Sequence, residues 1–435
     1  MGKKIYDDSW WYYRLKFLAE FYIRGSFSRL KYIGTERIPT DGSVIYAPNH
    51  CNALMDPLVV INMGEEKKVF VARADIFSGK KSRKILNFLK IMPINRRRDG
   101  LRNMTRAEDT IRKSIEVVGN KVKFCILPEG THRTMHALLP IGKGVARVAY
   151  GAVKEIGSGF PVYVVPVGLE YGDYYRFRNT LLVNVGEPFN VTEYVFSHPE
   201  MTEHDILQKI RSVVSERLHD NIVCVTDEDN YDAIWELSKI ASGRNTAACD
   251  LKARFDYNRN AIGRIEAYAQ ENPSEAGALF RETIEFTAER KKARISINSL
   301  NKKRLTGSAV LNTLLAVILF PLFCVFATAS LPVWLTSEIM ARRVKDPAFR
   351  NSLRMVTHLA LWTALYIVWV IVLLCTVRWY WAILLAVVVA PAPKVVYDYF
   401  ELVRMAASDW RAVASSSIRN RYKSLERKVK ELVEK

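Results

Sequence analysis

A short apolar run that ends in a loop with a histidine and an aspartate decides the fold. It reads Val44-Ile45-Tyr46-Ala47-Pro48-Asn49-His50-Cys51-Asn52-Ala53-Leu54-Met55-Asp56-Pro57. A second apolar run leads into another charged loop, Phe124-Cys125-Ile126-Leu127-Pro128-Glu129-Gly130-Thr131-His132-Arg133. In α/β domains, ligands meet side chains in the loops at the carboxyl ends of parallel strands. The sequence therefore predicts one site built from both loops.

Working outward, short β-prone runs alternate with helical stretches from Val44 to about Glu187. These runs are Val44–Ala47, Lys68–Ala72, Phe124–Leu127, Val162–Val167 and Leu181–Val185. Such alternation predicts an α/β fold with a mostly parallel sheet covered by helices. An amphipathic helix over Thr202–His219 is expected to pack on the sheet and close the domain.

Charge and cysteine usage narrow the class of protein. Lysine and arginine number 64 against 45 acidic residues, a formal charge of +19, which suits nucleic acid or an anionic membrane surface. Long apolar stretches favour the membrane, so no nucleic-acid partner is expected. The six cysteines are dispersed without paired spacing, and neither a disulfide framework nor a metal site is indicated. No cofactor is expected.

The first long apolar stretch, Val310–Trp334, carries no charge. It is long enough to cross a bilayer as one helix, and a simple span is the default interpretation. Pro321 and Pro332 interrupt it, and basic residues flank it on both sides. By the positive-inside rule these features favour a re-entrant hairpin that turns near Pro321, with both ends in the cytoplasm.

Two further apolar stretches, Leu359–Val377 and Trp379–Pro393, are separated by Arg378 in a turn rich in Trp and Tyr. They predict a transmembrane helical hairpin. The tail repeats apolar residues in four-then-three spacing at Ile418, Tyr422, Leu425, Val429 and Leu432. This spacing fits a short coiled coil or a helix on the membrane surface.

His50 and Asp56 have the chemistry of a catalytic dyad. A carboxylate that takes the Nδ1 proton of an imidazole leaves Nε2 free as a base for a hydroxyl. Asp56 follows His50 by six positions, whereas a spacing of five can place such a pair on one face of a helical turn. The loop or the first helical turn must therefore accommodate one extra residue. A surface histidine beside a helix-starting aspartate is the alternative for this pair taken alone.

Four ordered blocks resemble the phospholipid/glycerol acyltransferase family, of the glycerol-3-phosphate or 1-acylglycerol-3-phosphate acyltransferase type. The first contains Asn49, His50 and Asp56, with one residue inserted as in the fungal-type glycerol-3-phosphate and dihydroxyacetone-phosphate acyltransferases. The second, a short strand ending in an arginine, is Met92–Asp99 with Arg96 at the matching position. The third is Ile126–Thr131, continued by Leu138–Ala146, and the fourth is Val165–Val167.

This resemblance implies roles for individual residues. His50 is the expected base and Asp56 its orienting partner, so the acyl group passes directly to the acceptor. Arg96 is expected to bind the acceptor phosphate with help from Arg98 or Arg133, and Glu129 to hold the glycerol hydroxyl or orient an arginine. The full set expected to bind substrate is Asn49, Arg96, Arg98, Glu129, Gly130, Thr131, Arg133, Lys143 and Pro166.

The implied function is that of an integral membrane acyltransferase with its catalytic domain on the cytoplasmic face. Acyl-CoA or acyl carrier protein would donate a fatty acyl group to glycerol 3-phosphate, in phosphatidic acid and phospholipid synthesis. The lysophosphatidate acceptor is the close alternative. A non-catalytic lipid-binding membrane scaffold is the alternative from another class.

Five regions are expected along the chain. Residues 1–33 would form N-terminal interfacial amphipathic helices that let the active site draw acyl chains from the bilayer. The acyltransferase domain would occupy 34–222, and a charged helical region 223–305. Membrane-embedded helical hairpins would occupy 306–400, and a C-terminal amphipathic helix 401–435.

If Arg96 binds the acceptor phosphate, Arg96→Ala should raise the KM for the acceptor far more than the KM for the donor, because a ground-state contact is lost. Arg97→Ala is the neighbouring control and should change neither KM appreciably. Steady-state kinetics with each substrate varied in turn measures both. Equal effects on the two substrates would mean that Arg96 has a structural role.

Overall fold

A computed structural model of the chain describes residues 4–434 except 78, 95–103 and 244–249. The chain divides into two compact units. The first contains residues 1–222 and a later segment, 344–355, and the second contains 223–343 and 356–435.

A mixed sheet organises the first unit. Its strands are β1 (Phe27–Ile33), β2 (Ser43–Pro48), β3 (Lys68–Arg73), β4 (Ile91–Ile94), β5 (Lys123–Cys125), β6 (Val162–Tyr171), β7 (Asn179–Val185) and β8 (Phe189–Asn190). The order is β1-β7-β6-β2-β5-β3-β4, with β8 beside β6. Only the pairings of β6 with β7 and with β8 are antiparallel among the described residues. The predicted α/β fold with a mostly parallel sheet is confirmed.

The helices of this unit are α1 (Trp10–Gly25), α2 (Met55–Ile61), α3 (Lys80–Phe88), α4 (Met104–Gly119), α5 (Lys143–Ile156), α6 (Val191–Ser197) and α7 (Glu203–Asn221). The apolar core lies where β2 and β5 meet α4, α5 and α7, and includes Ile45, Phe124, Val145 and Ile210. Every residue of β2 is buried, as expected for a central strand with helices on both faces.

The five predicted strands and the predicted closing helix are all present. Thr202 begins the helix as predicted, because its hydroxyl accepts the backbone N–H of Asp205 and caps α7. Residues 27–33 differ from the prediction that helices extend to residue 33: they form β1, which pairs with β7. No local pattern indicates β1, because this strand forms through its pairing with β7, far along the chain. The exposed Arg29 and Lys31 suit an edge strand.

The second unit is helical. Its helices are α8 (Tyr231–Ser242), α9 (Leu251–Glu271), α10 (Pro273–Lys292), α11 (Ile297–Leu300), α12 (Leu305–Arg343), α13 (Arg350–Thr357, shared with the first unit), α14 (Thr363–Thr376), α15 (Trp379–Val389), α16 (Ala392–Ala414) and α17 (Ser416–Glu434). A π-helical turn at His358–Trp362 joins α13 to α14.

The predicted re-entrant hairpin at Pro321 is wrong. Helix α12 runs without a break through Pro321 and Pro332. Side chains of neighbouring helices supply donors close to both prolines: Tyr399 Oη donates to the carbonyl of Ala316 and Trp369 Nε1 to that of Ala329. Apolar helices tolerate proline when they pack against neighbouring helices, and these two bonds are such contacts.

The predicted turn between two helices at Arg378 is confirmed, since α14 ends before it, α15 begins after it, and the two helices pack against each other. By length and composition, two stretches in the described part of the chain could cross a membrane, Leu305–Arg343 and Pro347–Thr376. The bent pair α15 and α16 would make a third if it counts as one span.

The carboxyl-terminal helix α17 packs against α8, α9 and α10. Its four-then-three apolar seam supplies the buried side chains Ile418, Tyr422, Leu425 and Val429. The seam therefore closes a bundle of helices within this chain. The charged segment before α12 supplies the other helices of that bundle, α8, α9 and α10.

Gly168 of β6 is the tightest glycine in the sheet, because an added Cβ would lie 1.8 Å from the backbone oxygen of Asn221. Gly168→Ala should therefore destabilise the protein by about 1–3 kcal/mol. Gly159→Ala is the matched control, with nothing within 4 Å of the added carbon. Thermal unfolding of the purified protein measures both, and equal midpoints for the two variants would contradict this packing.

Candidate active site

The two predicted loops meet at the carboxyl ends of β2 and β5. These strands pair in parallel, Ile45 opposite Phe124 and Tyr46 opposite Cys125, so the chain leaves both at the same edge of the sheet. The loops are joined by a backbone bond in which the N–H of Arg133 donates to the carbonyl of His50 at 3.1 Å. The parallel register thus brings residues about eighty positions apart into one site.

His50 and Asp56 form a buried dyad. The imidazole Nδ1 lies 2.8 Å from Asp56 Oδ2, with the carboxylate fully buried and the imidazole 14% exposed. Because the carboxylate accepts, Nδ1 carries the proton and Nε2 keeps its lone pair for a substrate. The residue added by the spacing of six is accommodated in a tight turn where Ala53 has a φ of 44°.

Further donors hold the Asp56 carboxylate in place. The backbone N–H groups of Cys51 and Asn52 both donate to Oδ2 at 2.8 Å, and the Tyr171 hydroxyl donates to Oδ1 at 2.9 Å. Hydrogen bonds of this kind fix the position of a carboxylate. Asp56 is therefore held in the position that orients His50.

Glu129 links the two loops. Its Oε1 accepts the backbone N–H of His50 at 2.6 Å and its Oε2 the backbone N–H of Leu139 at 3.0 Å. Burial raises the pKa of Glu129 to about 7, against the opposing effect of these bonds. The structure thus gives Glu129 a role that the sequence did not suggest, the positioning of the His50 backbone.

Other predicted residues lie around this centre. Asn49 braces the loop against β6, since Oδ1 accepts the N–H of Leu169 at 2.7 Å and Nδ2 donates to its carbonyl. Gly130 has a φ of 68°, a conformation that favours glycine, at the start of the exposed turn that continues into Thr131.

Two of the residues predicted to bind substrate lie in unlike surroundings, one buried and the other exposed. Pro166 is buried in β6 opposite Ala47, and Lys143 is exposed as the first residue of α5. Arg96 and Arg98 lie outside the described residues.

Cys51 follows His50 directly but is unsuited to nucleophilic catalysis. Burial raises the pKa of its thiol well above the ordinary value, and the neighbouring Asp56 adds to the effect. Only the thiolate is strongly nucleophilic, so this cysteine is an inert part of the core.

Three further residues lie at this site, although the sequence did not predict them as part of it. Tyr171 lies at the end of β6, where only the sheet register reveals its approach to Asp56. The His132 ring lies 5.3 Å from that of His50, between ring centroids, and Asp346 Oδ2 lies 2.7 Å from His132 Nε2. His132 was visible as part of the second loop, but no local pattern could have indicated Asp346.

The site therefore holds an imidazole and a buried carboxylate in the arrangement that general-base chemistry requires. Residues 29–170 match the family model described as Acyltransferase, so this segment forms an acyltransferase-family domain, and the resemblance found in the sequence is confirmed.

Two proteins of Saccharomyces cerevisiae are similar to parts of the chain. Glycerol-3-phosphate O-acyltransferase 1 is 23% identical over 145 residues, which is 33% of this chain and 19% of that protein. Glycerol-3-phosphate O-acyltransferase 2 is 38% identical over 89 residues, which is 20% of this chain and 12% of that protein. The matches thus span less than a fifth of either relative.

Among solved structures, there is a likeness to the 1-acyl-sn-glycerophosphate (LPA) acyltransferase PlsC from Thermotoga maritima. It has 20% identity and a TM-score of 0.33, and covers 48% of this chain and 79% of that one.

Glu129→Gln tests the raised pKa. The folded state binds the Glu129 proton more tightly than the unfolded state, so its contribution is full below about pH 4.5 and is lost as the pH rises through about 7. Glutamine cannot titrate. The stability of the wild type relative to Glu129→Gln should therefore fall between pH 5 and pH 8, as measured by thermal unfolding at both values. A constant or rising difference would contradict the assignment.

Proposed function

We propose that the protein is a membrane-bound O-acyltransferase that transfers a fatty acyl group from a thioester donor, acyl-CoA or acyl carrier protein, to glycerol 3-phosphate. The observation that carries the proposal is the buried His50–Asp56 pair, whose 2.8 Å contact leaves Nε2 available as a base. The acyltransferase-family domain at residues 29–170 supports the same reaction class.

The proposed chemistry needs only this dyad and an anion-binding site. His50 Nε2 takes the proton of the acceptor hydroxyl as its oxygen attacks the thioester carbonyl, and Asp56 stabilises the imidazolium that forms. A C–O bond forms, the C–S bond breaks, and the thiolate leaves and takes up a proton. General-base assistance of this kind is worth ~10²–10⁴ in rate.

Two features favour glycerol 3-phosphate as the acceptor. The spacing of His50 and Asp56, with its one inserted residue, resembles that of the fungal-type enzymes. Both yeast relatives are named glycerol-3-phosphate O-acyltransferases. Arg96 is the proposed phosphate ligand, with Arg98 or Arg133 assisting. Lysophosphatidate is the second candidate acceptor, and the same site chemistry serves both.

The proposed location is the cytoplasmic face of a membrane. Two or three helices of suitable length and composition, α12 among them, support membrane insertion. Exposed aromatic side chains on α1, including Trp11 at 70% and Phe17 at 75% exposure, support contact of the catalytic domain with lipid. Basic residues beside the apolar stretches favour the cytoplasmic side.

His50→Ala should reduce acyl transfer to below a few per cent of wild type, because the base is lost while little core packing changes. Asp56→Asn should cost less, because the imidazole stays. His204→Ala, at an exposed position on α7, is the control and should keep full activity. The assay uses purified protein with labelled acyl-CoA and a panel of acceptors that includes glycerol 3-phosphate and lysophosphatidate.

Substantial activity in His50→Ala would rule out the general-base mechanism. Wild-type protein that binds lipid but transfers no acyl group to any acceptor would favour the scaffold. Transfer to lysophosphatidate alone would select the second candidate acceptor.

A further inference from the structure

A second histidine–carboxylate pair lies beside the dyad. The ring of His132 packs edge to face on that of His50, with centroids 5.3 Å apart. Asp346 Oδ2 lies 2.7 Å from His132 Nε2. The mechanism described above uses neither His132 nor Asp346, although the His132 ring contacts that of the proposed base.

Asp346 comes from a segment of the chain far from the catalytic loops in sequence. Residues 344–355 follow the apolar helix α12 and include the first part of the stretch Pro347–Thr376, yet they belong to the first unit. Asn351 anchors the segment, since its Nδ2 donates to the carbonyl of Tyr174 at 2.8 Å. Asn52, in the catalytic loop, donates to the same carbonyl at 3.2 Å. One backbone oxygen thus ties the segment to the loop that carries His50.

The conformation of residues 344–355 fixes the orientation of the Asp346 carboxylate. Asp346 Oδ1 accepts the backbone N–H of Ala348 at 3.0 Å and so begins a short turn, which leaves Oδ2 for His132. Phe349 also packs edge-on with the His132 ring, with centroids 5.5 Å apart. The imidazole is therefore held by a hydrogen bond and by contacts with two rings, His50 and Phe349.

Asp346 is suited to act as an anion. Desolvation acts against its charged form, but the N–H of Ala348 and the His132 side chain outweigh this and hold the pKa of Asp346 below its ordinary value. Because Asp346 Oδ2 lies beside Nε2 of His132, the second ring nitrogen, Nδ1, is the one left to contact a ligand.

We propose that Asp346 is a positioning residue that holds His132 to donate a hydrogen bond to the phosphate of the acceptor. This inference rests on the proposed function and adds a specificity determinant to it. The exposure of the pair supports a charged headgroup that enters from water, since the His132 side chain is 24% exposed and Asp346 46%, against 14% for His50. In glycerol 3-phosphate, the reacting hydroxyl and the phosphate are close enough to engage neighbouring rings.

Three variants test the pairing: Asp346→Asn, His132→Ala and the double variant. Asparagine can still cap Ala348 through its oxygen, so Asp346→Asn removes the charge while keeping the turn. We expect about a tenfold rise in the KM for glycerol 3-phosphate in Asp346→Asn and a larger rise in His132→Ala. The double variant should match His132→Ala, because Asp346 acts through that ring. The KM for acyl-CoA and kcat should stay within about twofold of wild type.

Lys345→Ala is the matched control, because it removes an exposed charge next to Asp346 and should leave all three constants unchanged. Wild-type kinetics for Asp346→Asn would overturn the proposal, as would multiplicative effects in the double variant. A fall in kcat without a change in acceptor KM would also overturn it, since the pair would then act on the reacting carbonyl. These outcomes require an active wild type, so they are distinct from failure of the proposed function, in which the wild type itself transfers no acyl group.

Discussion

The structure of the site depends on one buried carboxylate. Asp56 accepts hydrogen bonds from the His50 imidazole, from the backbone of Cys51 and Asn52, and from the Tyr171 hydroxyl. An anion buried without such donors would be costly, so the loop must adopt the one conformation that brings them together. The same bonds that make the aspartate tolerable in the interior also set the direction of the histidine. Folding and chemistry thus impose the same geometry on this loop.

Two strand pairings of β2 support the loop around the carboxylate. The strand pairing of β2 with β5 brings the second loop alongside, and Glu129 secures it to the His50 backbone. The pairing of β2 with β6 brings the end of β6, where Asn49 binds Leu169. Each support uses a backbone group on at least one side, so the arrangement depends on the sheet register more than on the identity of individual neighbours.

Features that depend on residues close together in the chain could be predicted from the sequence, and features that depend on distant residues could not. Central strands such as β2 are continuous apolar runs, and α7 has both periodicity and a cap, so these signals are local. The pairing of His50 with Asp56 is also local, within one loop. In contrast, β1 acquires its structure from β7, Tyr171 reaches Asp56 through the register of β6, and Asp346 meets His132 across 214 positions. Pro321 misleads the prediction because the side chains that contact α12 near it, such as Tyr399, come from helices distant in sequence.

The return of residues 344–355 to the first unit has a consequence for the order in which the protein matures. Synthesis proceeds from the amino terminus, so the chain up to Ile222 is complete long before Asp346 and Asn351 exist. The whole of α12, the first strongly apolar helix, must be made in between. The newly made first unit therefore has its His50–Asp56 pair before it has Asp346 and Asn351. The unit can be completed only once the first apolar helix has been synthesised, which links its completion to the stage at which the chain can enter a membrane.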